Sequence, residues 1–143
     1  MKDPSDELIS ALYTALNGNV TYGGAAVPVY VVPVEWDDLT VERYIRIAEV
    51  RWGDASPKDS NICDGTIDIY VDTFFTGKNA GSKKPMNSIA NDASVLIHQT
   101  FSLTSFTQVL GRVESMEDFD YELDPQGLVF RKLITYQFIT EET

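Results

Sequence analysis

Residues 63–77 read CDGTIDIYVDTFFTG. From Ile67 to Asp72 apolar and polar side chains alternate, the period of a β-strand with one buried face. Ile67, Ile69 and Val71 are expected to point into a core, and Asp68, Tyr70 and Asp72 away from it. With Asp64 upstream, this stretch raises two questions: where the sheet lies, and whether its acidic side does chemistry. Four residues at ~3.3 Å each put Asp68 and Asp72 roughly 13 Å apart. Paired carboxylates of glycosidases lie about 5.5 to 9.5 Å apart. The strand alone makes no such pair. A solvated or subunit-facing acidic face is expected, because unpaired carboxylates are rarely buried.

Upstream, a strand is expected from about 44 to 52. Ile45 and Ile47 share one parity and Val50 and Trp52 the other, which indicates a bulge or two buried faces. Before it, Pro28 and Pro33 cannot donate to a ladder, so residues 27–34 read as an edge strand or an extended arm. Gly23-Gly24 marks a turn between two short extended runs. The first element is a helix: Asp3 as its cap, Pro4 in the first turn, and Leu8, Ala11, Leu12, Ala15 and Leu16 on one face, ending at Gly18. Downstream, the basic, glycine- and lysine-rich loop 76–84 leads into a second helix over about 85–100. Its stripe is Met86, Ile89, Ala90, Ala93, Leu96 and Ile97. Two final strands flank an acidic turn at 116–126. The fold class is therefore α+β: a mostly antiparallel sheet with two main helices packed on one face. With no repeat, low-complexity tract or linker, residues 1–143 form a single domain.

The 143 residues carry a formal net charge of -11, with 43% hydrophobic and 23% charged residues. Such a chain is repelled by nucleic-acid backbones and anionic membranes. One cysteine, Cys63, excludes an internal disulfide and points to a reducing compartment. The opening MKDPSDELIS has no apolar leader, and no run approaches the ~20 residues of a membrane span. A soluble protein retained inside a cell is expected.

The search for chemistry assigns no catalytic residue, cofactor or metal. Asp118, Asp120, Glu122 and Asp124 alternate as in a calcium loop. Neither register from Asp118 or Asp120 supplies the glycine and glutamate such a loop needs, so a solvated hairpin tip is expected, with a weak cation site built with a neighbouring subunit as the alternative. His98 falls off its helix's apolar stripe and reads as a surface residue with no marked nucleophile. Cys63 has no basic neighbour and reads as a structural thiol. One His and one Cys cannot make a zinc centre, and no phosphate-binding glycine motif occurs. Lys78, Lys83 and Lys84 read as a solvated loop, with contact to an acidic neighbour or a phosphate backbone as the alternative. Edge strands and exposed carboxylates favour an interaction or assembly protein.

The succession of elements resembles the tail terminator (tail completion) proteins of long-tailed bacteriophages. The match runs across nearly the whole chain: the short helix DELISALYTALNG, the proline-bearing VPVYVVPV, TIDIYVDTFFTG leading through a loop into PMNSIANDASVLIHQT, and the closing LVFRKLITYQFITEE. In that last strand Phe130, Arg131, Leu133, Tyr136 and Phe138 follow the family's aromatic and aliphatic alternation. The resemblance implies a homo-oligomeric sixfold ring on the head-proximal end of the tail tube. The ring ends polymerisation of the tube protein and presents a face to the head–tail connector protein. DNA passes through the lumen without sequence-specific binding, and no membrane takes part. Localisation would be the tail or neck of the virion, assembled in the bacterial host cytoplasm. Candidate contacts are Val29, Tyr30 and Val31 in the arm, Lys78, Lys83 and Lys84 in the loop, and Asp118, Asp120 and Glu122 in the acidic turn. Trp36, beside two aspartates in EWDDLTVERY, departs from a plain connection and is a further candidate. The alternatives within phage assembly are a head–tail connector or head completion (neck) protein and a tail tube subunit. Outside it stand a small hydrolase and a small-ligand binder.

Overall fold

The computed structural model describes residues 2–34, 42–57, 60–75, 81–123 and 127–143. Helix α1 spans Ser5–Leu16 and buries Leu8, Leu12 and Leu16, the i, i+4, i+8 row of the expected stripe. Pro4, not Asp3, occupies the cap position. Asp3 still serves the helix entry, its carboxylate accepting the Ser5 N–H at 2.8 Å. Strands β1 (Thr21–Tyr22) and β2 (Ala25–Ala26) form a minimal hairpin. Gly23 and Gly24 both take positive φ, +63° and +82°, as a two-residue type I′ turn requires.

The main sheet has five strands in the order β3-β4-β5-β7-β6. They are β3 (Val29–Tyr30), β4 (Arg43–Asp54), β5 (Ile62–Phe75), β6 (Phe106–Leu123) and β7 (Gly127–Glu142). Among the described strands β3 pairs in parallel with β4, and the other pairings are antiparallel. The proline-flanked β3 lies at the edge, as its missing N–H donors demand. The parity change in β4 is a bulge: the register with β5 shifts between Ile47 and Val50. The extra residue returns Val50 to the same side as Ile45 and Ile47, opposite Ile67.

Helix α2 (Lys84–Ile97) packs with α1 on one face of this sheet. Leu8, Leu12, Leu16, Met86, Ile89 and Ile97 meet Ile45, Ile47, Ile67, Ile69, Val71, Ile134 and Phe138, all essentially inaccessible. Each such side chain contributes about 1.5–3 kcal/mol by burial. At the end of α2 a polar network joins helix to sheet. Tyr136 donates its hydroxyl to the Gln99 carbonyl at 2.8 Å and accepts from Gln108 Nε2 at 2.6 Å. Burial pushes the Tyr136 hydroxyl up to about 12, against the opposing hydrogen bond from Gln108.

One expected element is corrected. Residues 116–123 are strand, not turn: the β6–β7 ladder runs without interruption from Met116↔Ile134 to Leu123↔Gly127. The alternating acids there are the period of a strand. Its exposed position removed the buried stripe by which a strand is usually read.

Candidate interaction surface

The sheet face opposite the helices carries the polar residues of the central strands. β5 places Asp68, Tyr70 and Asp72 there, as the alternation requires. The expected solvated acidic face is not what forms. Asp72 is fully buried and Asp68 is 4% exposed. Asp72 accepts hydrogen bonds from Arg131 Nε at 2.7 Å and Nη2 at 2.9 Å, and from the Tyr44 hydroxyl at 2.6 Å. Asp68 takes the two Nη atoms of Arg51 at 2.8 and 2.9 Å. That contact raises the Arg51 guanidinium above its ordinary value. Bidentate arginine is the donor geometry a buried carboxylate needs. The aspartates are therefore framework charges, and neither is free to act on a substrate.

Above them the arginine stems and rings form a layer. The Arg131 guanidinium stacks 4.3 Å from the Tyr70 ring centroid. Tyr30 of β3 meets Tyr44 edge to face, with centroids 5.7 Å apart. Four of the five arginines, Arg46, Arg51, Arg112 and Arg131, lie on this face of an otherwise acidic chain. Arg46 stands apart: its Nε is shielded from solvent and has no hydrogen-bond partner among the described residues. Sequence reasoning missed these arginines because only the strand register brings them to Asp68 and Asp72.

The arm, loop and strand candidates are distributed as follows. Val29 is 7% exposed and belongs to the core, so it reaches a partner only if the core opens. Tyr30 is half-buried. Val31 and Val32 are 49% and 59% exposed. Trp36 and Lys78 lie outside the described residues. Lys83 is the residue before α2, and its ammonium pairs with Asp120 at 2.9 Å and Asp118 at 3.7 Å. These carboxylates raise the lysine's pKa. Lys132 reaches Asp118 at 3.1 Å and Asn87 Oδ1 at 2.7 Å. The basic loop and acidic strand thus answer each other within the chain. Lys84 is exposed, its N–H bonded to Ser82 Oγ at 3.0 Å. Glu122 continues the ladder opposite Leu128. Farther along β6, Met116 and Phe119 are 41% and 44% exposed.

The residues weighed for chemistry are structural. His98 is exposed at the end of α2, and its Nδ1 accepts the Val113 N–H at 3.0 Å, beside a bulge in β6. The Cys63 thiol is buried, and burial, with nearby Asp54, raises its pKa. Among the described residues no group of three or more His, Cys, Asp or Glu is placed to hold a metal ion. An open groove of about 570 Å³ runs between α1 and residues 101–104, lined by Asp6, Glu7, Ser10, Thr14, Phe101 and Leu103. Glu7 is occupied there, accepting the N–H groups of Thr104 at 2.8 Å and Ser105 at 3.2 Å. Desolvation opposes its ionised form, but these hydrogen bonds prevail and lower its pKa.

No protein-family model matches the chain, and no curated protein matches its sequence. In three dimensions the chain is similar to a chain of the virion of a native gene transfer agent (GTA) particle. The TM-score is 0.72 at 15% identity, and the match covers 99% of each chain. At that identity the likeness is one of fold.

Proposed function

We propose that this chain, as one domain over residues 1–143, is a structural subunit of a phage-like virion, and within it a tail terminator. The observation that carries the reading is the fold shared end to end with a virion chain, 99% of each at a TM-score of 0.72. The order of sequence elements that resembles tail terminators supports the finer role. In this reading copies of the chain close into a sixfold ring on the head-proximal end of the tail tube. One ring face docks on the tube protein and the opposite face does not repeat that docking surface, so polymerisation stops. The second face receives the head–tail connector. Closed rings use heterologous contacts, in which two different patches of one chain meet. The net charge of -11 suits a channel along which DNA slides without adhering. The work is geometric, with no bond made or broken.

The test is electron microscopy of lysates from the encoding phage with only this gene removed. Tails of uncontrolled length beside DNA-filled, tailless heads are expected. Leaking or empty heads with normal free tails would transfer the chain to the connector. Intact particles would refute the assembly role altogether.

A further inference from the structure

Strand register draws one line across the arginine-bearing face. Glu117 of β6 lies opposite Leu133 of β7, Leu133 opposite Tyr70 of β5, Tyr70 opposite Arg46 of β4, and Arg46 opposite Tyr30 of β3. A carboxylate thus stands at one edge of the sheet, and at the same level near the other edge stands a guanidinium. Among the described residues neither forms an ion pair. Glu117 is exposed and makes no ion pair with a described residue, unlike Asp118, which Lys83 and Lys132 engage from the other face. Arg46 keeps its shielded, unpartnered Nε. Of its three fellow arginines, Arg51 and Arg131 already hold Asp68 and Asp72, and Arg112 donates to Gln137 Oε1 at 2.7 Å. Glu49, exposed at the β4 bulge, is felt by Arg51 and Tyr70 but pairs with neither.

We infer that these two edges meet between copies of the chain, Glu117 of one subunit pairing with Arg46 of the next. The inference rests on the ring reading and names its contact. β6 and β3 run in opposite directions, so the two edges meet antiparallel, the commoner pairing. Strands spaced ~4.8 Å put β4 about two spacings from a docked β6, within reach of an arginine and a glutamate extended toward each other. Exposed apolar residues lie close by: Phe119 on the same side of β6 as Glu117, and Val31 and Val32 next to Tyr30 in the chain. Exposed apolar residues around a desolvated ion pair are the make-up of an interface centre. The patches differ and lie on opposite edges, so the contact is heterologous, the kind that closes into a ring when the rotation between copies allows it.

Disulfide trapping between mixed chains tests the contact. Side chains level with each other on adjacent antiparallel strands have Cβ atoms about 5 Å apart, near disulfide reach. Glu117→Cys and Tyr30→Cys chains are purified separately, mixed at high concentration and oxidised, with the natural chain controlling for Cys63. A linked dimer that forms only on mixing is expected. Adding Arg46→Gln to the Tyr30→Cys chain should lower its yield about ten-fold, the worth of one charge-assisted contact. A circular dichroism melt checks that this variant folds. Should it not, adding Glu49→Gln must leave the yield unchanged, because a pair internal to the chain would depend on it. No product above the natural chain, or equal product from Glu117→Cys alone, overturns the contact. Tails that cap normally alongside failed trapping would refute the contact and spare the terminator reading. Trapped closed rings that leave tail length uncontrolled would do the reverse.

Discussion

Replacing Arg131 by methionine isolates what holds the centre of the sheet together. The substitution keeps much of the stem that packs over Tyr70 and removes the two donors at 2.7 and 2.9 Å from Asp72. Asp72 is fully buried and retains the Tyr44 hydroxyl at 2.6 Å. Breaking a buried ion pair from one side costs about 3–5 kcal/mol, since a charge is left without compensation. The surviving Tyr44 bond places the expected loss at the lower end, about 3 kcal/mol. Unfolding entropy is about 2.1 cal/mol/K per residue. Over 143 residues this converts the loss to a fall of about 10 °C in Tm. Urea unfolding followed by tryptophan fluorescence gives the free energy directly. Asp72→Asn completes a double-mutant cycle, because the amide oxygen still accepts from Tyr44 without carrying charge. The double variant should recover about 2 kcal/mol relative to the sum of the singles. A loss below about 1 kcal/mol for Arg131→Met, or additivity within ~0.5 kcal/mol, would refute the claim that this pair is coupled and desolvated.

Gly111→Ala should destabilise by about 1–3 kcal/mol, read by urea melt. A Cβ there would stand 2.2 Å from the Gln99 carbonyl oxygen and 2.4 Å from the Tyr136 hydroxyl, so the polar network at the end of α2 must open. Leu12→Ala, at a fully buried position of α1, should cost about 2–5 kcal/mol in the same assay. The lowered pKa of Glu7 gives a pH signature. Its folded value lies below the ordinary 4.5, so its contribution is present above 4.5 and lost as pH falls toward the folded value. In Glu7→Gln the stability difference from the natural chain should therefore shrink on acidification through that window, measured by melts from neutral to acid. Lys83→Ala, whose pairs with Asp118 and Asp120 are half-exposed, should cost no more than about 1 kcal/mol.

The fold was legible wherever a buried face left a periodic stripe. The alternation at 67–72 placed β5, the i, i+4 leucines placed α1, and the parity change between Ile47 and Val50 located the β4 bulge. The strand 116–123 was misread because the same alternation stood without an apolar stripe. Asp118 and Asp120 face Lys83, and Phe119 is exposed on the other side. The pairing of Asp72 with Arg131 spans 59 residues, and that of Asp68 with Arg51 spans 17. Such contacts are set by register between strands, which local pattern does not encode. Composition gave the opposite impression: an acidic chain suggested acidic surfaces, whereas the sheet gathers its arginines over its buried carboxylates.

The two sheet edges are built differently, and the difference bears on when the chain assembles. An exposed strand edge invites pairing, and proteins blunt it with prolines, bulges, charges or short strands. β3 uses two of these devices: it is two residues long and lies between Pro28 and Pro33. β6 is eighteen residues long, and its two register shifts fall between Gln108 and Leu110 and between Val113 and Ser115. From Met116 to Leu123 it runs regularly, so the part left able to pair is the part that bears Glu117 and Phe119. A blunted edge opposite a regular one makes a weak contact for two free chains, since β3 offers few donors. In the proposed ring the same contact, repeated around a tube end where each subunit would also be held from below, would gain by effective concentration. That asymmetry fits the proposed tube cap, which must not polymerise on its own, better than a tube subunit, which must self-associate.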